Sequence, residues 1–211
     1  MPPIANLSLF IAAAFVLLIT PGPAVLYIVT RSVDLGRKAG LVSVCGIETG
    51  NLCQVIAATF GLTAIVLSSA LAFDVIKFLG AAYLIYIGVR KLITPVQVAE
   101  QAVIKEKNLR RIYGQGLLIA VLNPKPALFY LAFLPQFVDP ARGSVALQTL
   151  VLGLIYAGMA WITDSCYALL AGTAGNWLKT SPWYLRFQRY VAGTIYIGLG
   201  LVAAFSGGGK K

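Results

Sequence analysis

The 211-residue chain has no histidine, only three cysteines and only seven acidic residues. Without histidine, the usual zinc and haem ligand sets are missing, so neither a metal centre nor any other cofactor is expected. The cysteines, Cys45, Cys53 and Cys166, lie inside apolar stretches, which argues against a disulfide framework. Charge of either sign is scarce: 11% of residues are Asp, Glu, Lys or Arg, where a soluble domain carries about a quarter. No P-loop, no G-x-S-x-G and no other catalytic constellation occurs, so no enzymatic activity is expected and no catalytic residue is assigned.

What the chain has instead is apolar length. Hydrophobic residues make up 59% of it, and no globular core of this size could hide that much apolar surface. The excess must face lipid. Apolar runs fall at 5–30, 39–68, 71–92, 113–137, 145–172 and 188–206, and about 20 apolar residues suffice to cross a bilayer. The expected fold is all-α: a polytopic membrane protein of about six transmembrane helices in one domain. The weakest boundary lies between the second and third runs, where Ser68, Ser69, Asp74 and Lys77 alone mark a turn. The N-terminus has no basic residue before its apolar run and no A-x-A-like site, so a retained first helix is expected rather than a cleaved signal peptide.

A net charge of +10 would suggest nucleic acid in a soluble protein. Here the cations sit between apolar runs, where they read as topology signals, and no nucleic-acid partner is expected. With six alternating helices, twelve Lys and Arg fall on one side and four on the other. The positive-inside rule then places both termini outside and the 93–112 linker in the cytoplasm. That linker divides the domain into halves, 1–92 and 113–206, followed by a short tail, 207–211. Trp177, Trp183 and Tyr184 fit an interfacial aromatic belt.

The halves echo one another. Thr20-Pro21-Gly22-Pro23-Ala24-Val25-Leu26-Tyr27 resembles Asn123-Pro124-Lys125-Pro126-Ala127-Leu128-Phe129-Tyr130, with both prolines, the alanine and the tyrosine matching at an offset of 103. A second echo pairs Ile85-Tyr86-Ile87-Gly88 with Ile195-Tyr196-Ile197-Gly198. Three helices per half is an odd number, so the second half enters the membrane upside down, as in the inverted repeats of secondary transporters. Broken helices 1 and 4 are therefore expected.

Each proline doublet interrupts a span. Proline within a helix removes a donor and clashes one turn back, at roughly 3 kcal/mol. In lipid such a break survives only inside protein or beside a water-filled cavity. The half-helix after each break offers its positive end and its amides to a carboxylate. A simple kink is the plainer alternative. Residues Thr20, Pro21, Gly22 and Pro23 of one break and Asn123, Pro124 and Lys125 of the other are thus candidate substrate contacts.

Ionisable residues inside the spans complete the candidate set. Glu48 lies ten residues past Lys38, about 15 Å deep at 1.5 Å per residue. A carboxyl group at that depth usually faces a cavity or a partner and could relay protons. Asp164 is the second such carboxyl, and Lys125 could pair with either acid or with substrate; a purely structural ion pair is the alternative. Asn51 shares the Glu48 face at i+3, and Thr49 and Gln54 lie nearby. Gly46 and Gly50 form a G-x-x-x-G, read as helix packing.

These residues resemble the lysine-exporter superfamily (LysE/RhtB), closest to its homoserine/threonine exporter type. The likeness rests on the Thr20–Pro23 break, Gly36-Arg37-Lys38-Ala39-Gly40, Gly46-Ile47-Glu48-Thr49-Gly50-Asn51, and Asn123-Pro124-Lys125 with the aromatic stretch through Pro135-Gln136-Phe137. It implies secondary active export of amino acids across the bacterial inner membrane, in antiport with protons. Many relatives carry Asp or Asn where Ala24 stands, and a histidine near Cys53 and Gln54. Those departures favour a neutral zwitterion such as threonine, homoserine or leucine over lysine. The partners implied are the amino-acid substrate, protons and the lipid bilayer; assembly into a homo-oligomer is left open. A passive channel, a metal exporter and a non-transport membrane subunit are the rival readings.

Overall fold

In a computed structural model the described residues are 4–68 and 108–180, with single helical positions among 75–93 and 190–201. The expected spans 71–92 and 188–206, the Ile85/Ile195 echo, the central linker up to residue 107 and the belt residues Trp183 and Tyr184 lie outside the continuously described residues, as does the Trp177 side chain. Among the described residues the protein is all-helical.

The first span is broken where the prolines require it. Helix α1, Ile4–Leu18, stops ahead of Pro21, and α2, Pro23–Leu35, restarts with Pro23 in its first turn at a bend of 52°. A proline is tolerated there because its missing N–H has no intrahelical partner to lose. Gly36, with φ +86°, ends α2 in a conformation that costs glycine little. The chain turns straight into α3, Arg37–Ser68.

Helix α4, Leu109–Val121, is started by Asn108, whose side chain accepts from the Arg110 N–H at 3.0 Å. It begins four residues ahead of the expected 113, and Arg110 and Arg111 stand exposed on its first turn. After the second break come α5, Pro124–Leu128, a π-helical turn, Phe129–Phe133, and a 3₁₀ turn, Leu134–Phe137. A short loop held by Gln148 leads into α6, Val145–Thr180.

Among the described residues, three apolar stretches are long enough to span a bilayer, Arg37–Ala64, Leu109–Phe137 and Val145–Gly172, and the bent α1–α2 pair makes a fourth. Their outward faces are apolar: Phe60 is 72% exposed, Leu122 71% and Ile162 66%. Exposed apolar surface on this scale belongs against lipid. The three cysteines also point outward.

Close approaches fix the helix directions. A Cβ on Gly46 would fall 2.2 Å from the Tyr113 carbonyl oxygen, and one on Gly50 2.6 Å from Ala120 Cβ, so α3 and α4 run parallel, backbone against backbone. The small residues of the G-x-x-x-G are what allow this. Helix α2 folds back on α3, with Ser32 against Gly40. The broken helices α1–α2 and α4–α5 therefore run in opposite directions, as the inverted repeat requires. Between an aromatic-rich core (Phe10, Phe129, Phe133, Tyr156) and a smaller aliphatic one (Ile28, Val44, Ile47) lies a layer of buried polar residues.

Candidate functional site

Each helix break exposes carbonyls on one side and amides on the other, and the structure accounts for them differently in the two repeats. On the carbonyl side of the first break, Tyr167 Oη donates to the Ile19 carbonyl at 2.9 Å, and Lys125 Nζ donates to the Thr20 carbonyl. On the carbonyl side of the second, Gln54 Nε2 donates to Ala120, Val121 and Asn123 carbonyls at 2.9, 3.1 and 3.2 Å. On the amide side, Asn123 Oδ1 accepts from the Lys125 N–H at 3.1 Å. Gly22, the corresponding residue before α2, has no side chain with which to cap, and Ala24 and Val25 border a cavity. The expectation of free amides at both breaks thus needs correction: at the second, a side-chain oxygen occupies the Lys125 amide.

That cavity lies where the breaks meet. It is lined by Gly22, Ala24, Asn51, Asn123, Lys125 and Asp164, with Tyr156 closing one side. Its volume of about 30 Å³ admits roughly two waters. Gly22 and Lys125 occupy equivalent positions in the repeat and touch each other: a Cβ on Gly22 would stand 3.3 Å from Lys125 Cδ. Residues that meet their own counterparts mark the pseudo-twofold axis.

Asn51, Lys125 and Asp164 are at most 8% exposed, and Glu48 is 1% exposed. Glu48 Oε2 accepts from Asn51 Nδ2 at 3.1 Å, the i,i+3 pairing expected from spacing. Glu48 and Asp164 are near enough for their carboxyl groups to interact, and Asp164 lines the cavity together with Lys125. Two neighbouring buried carboxyl groups favour holding one proton between them, because like charges in low dielectric repel. With that proton in place, two acids and one lysine sum to zero charge in a buried layer, the arrangement that low dielectric favours.

Eight of the ten expected site residues converge on this layer. Thr20 and Pro21 contribute backbone rather than side chain. Pro23 and Pro124 face outward; they start the half-helices and do not line the cavity. Sequence reasoning missed Tyr156 and the capping roles of Gln54 and Tyr167. It also passed over Tyr130, which is 1% exposed and whose hydroxyl has no hydrogen-bond partner among the described residues. For Tyr130 a signal existed, since it matches Tyr27 in the repeat. Gln54 and Tyr167 act across helices, and spacing does not reveal that.

Comparison with known proteins agrees with this architecture. The LysE type translocator family model matches residues 15–207. An uncharacterized membrane protein of Pseudomonas aeruginosa is 31% identical over 208 residues, covering 95% of this chain and 91% of its own. An uncharacterized membrane protein of Vibrio cholerae is 29% identical over 195 residues (92% and 94%). A homoserine/homoserine lactone efflux protein of Salmonella typhimurium is 25% identical over 195 residues, with the same coverage. No solved structure matches. A helical bundle with apolar outer faces, two proline-broken helices of opposite direction and a match over nearly its whole length together give the assignment: the chain belongs to the LysE type translocator family.

Proposed function

We propose that this protein is a secondary active exporter of neutral amino acids of the threonine, homoserine or leucine kind, working across the bacterial inner membrane in exchange for protons. The observation that carries the reading is the meeting of the two helix breaks at one cavity lined by Asp164 and Lys125, with the buried carboxyl of Glu48 beside Asp164. The efflux activity named for the Salmonella relative supports it.

In this mechanism the substrate carboxylate rests on the uncapped amides at the start of α2, near Lys125. Its ammonium group meets Asp164 and Glu48 and displaces the proton they share. One carboxyl pair thereby binds either proton or substrate, which couples the two flows, and rocking of one repeat against the other alternates access. The basic end of the bundle faces the cytoplasm, with the 93–112 linker inside and both termini outside.

Efflux of labelled amino acids from proteoliposomes, with and without an imposed pH gradient, tests the reading. Saturable efflux of threonine, homoserine or leucine that the gradient accelerates is the expected result. Efflux that neither saturates nor responds to the gradient would point to a passive pore, and no efflux of any amino acid to a different cargo.

A further inference from the structure

One buried polar cluster has no part in the mechanism above. On the basic side of the cavity, Tyr27 Oη donates to the Ile112 carbonyl at 2.8 Å and lies 3.2 Å from Gln115 Oε1. Arg31 Nη2 donates to the same Gln115 oxygen at 2.9 Å, and its guanidinium lies over the Tyr27 ring at 5.1 Å. Arg31 is only 5% exposed. Tyr27 and Arg31 belong to α2 and Gln115 to α4, so the cluster ties together the half-helices of opposite repeats that flank the cavity on that side.

The repeat supplies the comparison. At the offset of 103, Tyr27 corresponds to Tyr130, Arg31 to Leu134, and Gln115 to Ala12. The tyrosine is kept and its partners are not. In place of a polar latch, the far side is sealed by rings: Phe10 of α1 packs on Phe129 at 5.6 Å and on Phe137 at 5.3 Å, and Phe129 stacks on Tyr156 at 4.7 Å. The hydroxyl of Tyr27 is engaged while that of its counterpart Tyr130 has no partner among the described residues. The cavity between them, about 30 Å³, is too small for an amino acid.

We infer that Tyr27, Arg31 and Gln115 form the gate on the basic side, closed in this structure, and that Tyr130 with the phenylalanine cluster forms the opposite one. Opening the basic side parts α2 from α4. Its hydrogen bonds then pass to water, which replaces the protein partners. The inference rests on the transport reading, because a gate implies a path, but its readout needs no substrate.

The test places one reporter thiol at the cavity, Ala24→Cys, in a background with Cys45, Cys53 and Cys166 replaced by Ser. Alkylation by a membrane-impermeant maleimide is followed from each face of oriented vesicles. Tyr27→Phe removes one hydroxyl and no volume, and is expected to raise labelling from the basic side several-fold without raising it from the other. Tyr130→Phe should leave basic-side labelling unchanged. A disulfide between Arg31→Cys and Gln115→Cys, made in the same background without the reporter, should abolish export of whichever amino acid the protein carries, and reduction should restore it. Basic-side labelling unaltered by Tyr27→Phe, or full export with the disulfide in place, would overturn the inference. Labelling that responds as expected while no amino acid is exported would leave the gate standing and remove the substrate reading.

Discussion

The two proline breaks are copies of one motif, yet they present opposite chemistry. The first keeps glycine before its second proline, leaves its amides uncapped and borders the cavity with Ala24 and Val25. The second puts lysine at the equivalent position and caps its own amide with Asn123. The difference is reciprocal: Gly22 leaves the room that the Lys125 side chain crosses on its way to the Thr20 carbonyl. The two ends are alike in sequence and differ at the axis, with glycine in one and lysine in the other. One end leaves its amides open; the other sends its lysine across to the carbonyl end of its partner.

Changes that abolish this division should cost most. Lys125→Met leaves the Thr20 carbonyl without its ammonium donor and Asp164 without its cation. Removing one member of a buried charge pair costs about 3–5 kcal/mol, so a markedly lower melting midpoint in detergent and loss of export are expected; an unchanged midpoint would show that Lys125 does not hold the breaks together. Gln54→Leu removes the donor shared by three carbonyls at the second break. About 1–3 kcal/mol of destabilisation is expected, readable in the same melts, with the first break unaffected. Asn123→Ala uncaps the second break and makes it resemble the first. The stability loss should be about 1 kcal/mol, and if the open amides of α2 alone bind the carboxylate, the export KM should change little. A large rise in KM would mean that the second break also contacts substrate.

Much of the fold was legible in the sequence because lipid imposes long-range order on composition. Apolar run length marked the described spans, and paired prolines marked both breaks. Helix α4 starts ahead of its apolar run because Arg110 and Arg111 lie exposed on its first turn, and long basic side chains at a helix end reach water readily. Within the site, local relations could be read and distant ones could not. Glu48 and Asn51 are three residues apart and their hydrogen bond follows from helical spacing. Lys125 and Thr20 are 105 residues apart, and nothing in either segment announces that a lysine from one repeat closes the helix of the other. Gln54 was noticed only as a neighbour of Glu48; its role depends on α3 and α4 running parallel in contact, which the glycines permit but do not specify. That the Tyr130 hydroxyl meets no partner among the described residues is a matter of tertiary packing, which no sequence pattern records.

The central claim is that the carboxyl pair carries the exchange of proton for substrate, and Glu48→Gln tests it most directly. The amide keeps the shape of the side chain and its contact with Asn51 but cannot release a proton. In proteoliposomes, labelled substrate is followed both in exchange against unlabelled substrate and in efflux driven by an imposed pH gradient. The account predicts that exchange persists in the variant while acceleration by the gradient disappears. Gradient-driven efflux as strong as in the unaltered protein would contradict it, and would remove Glu48 from the path of the proton.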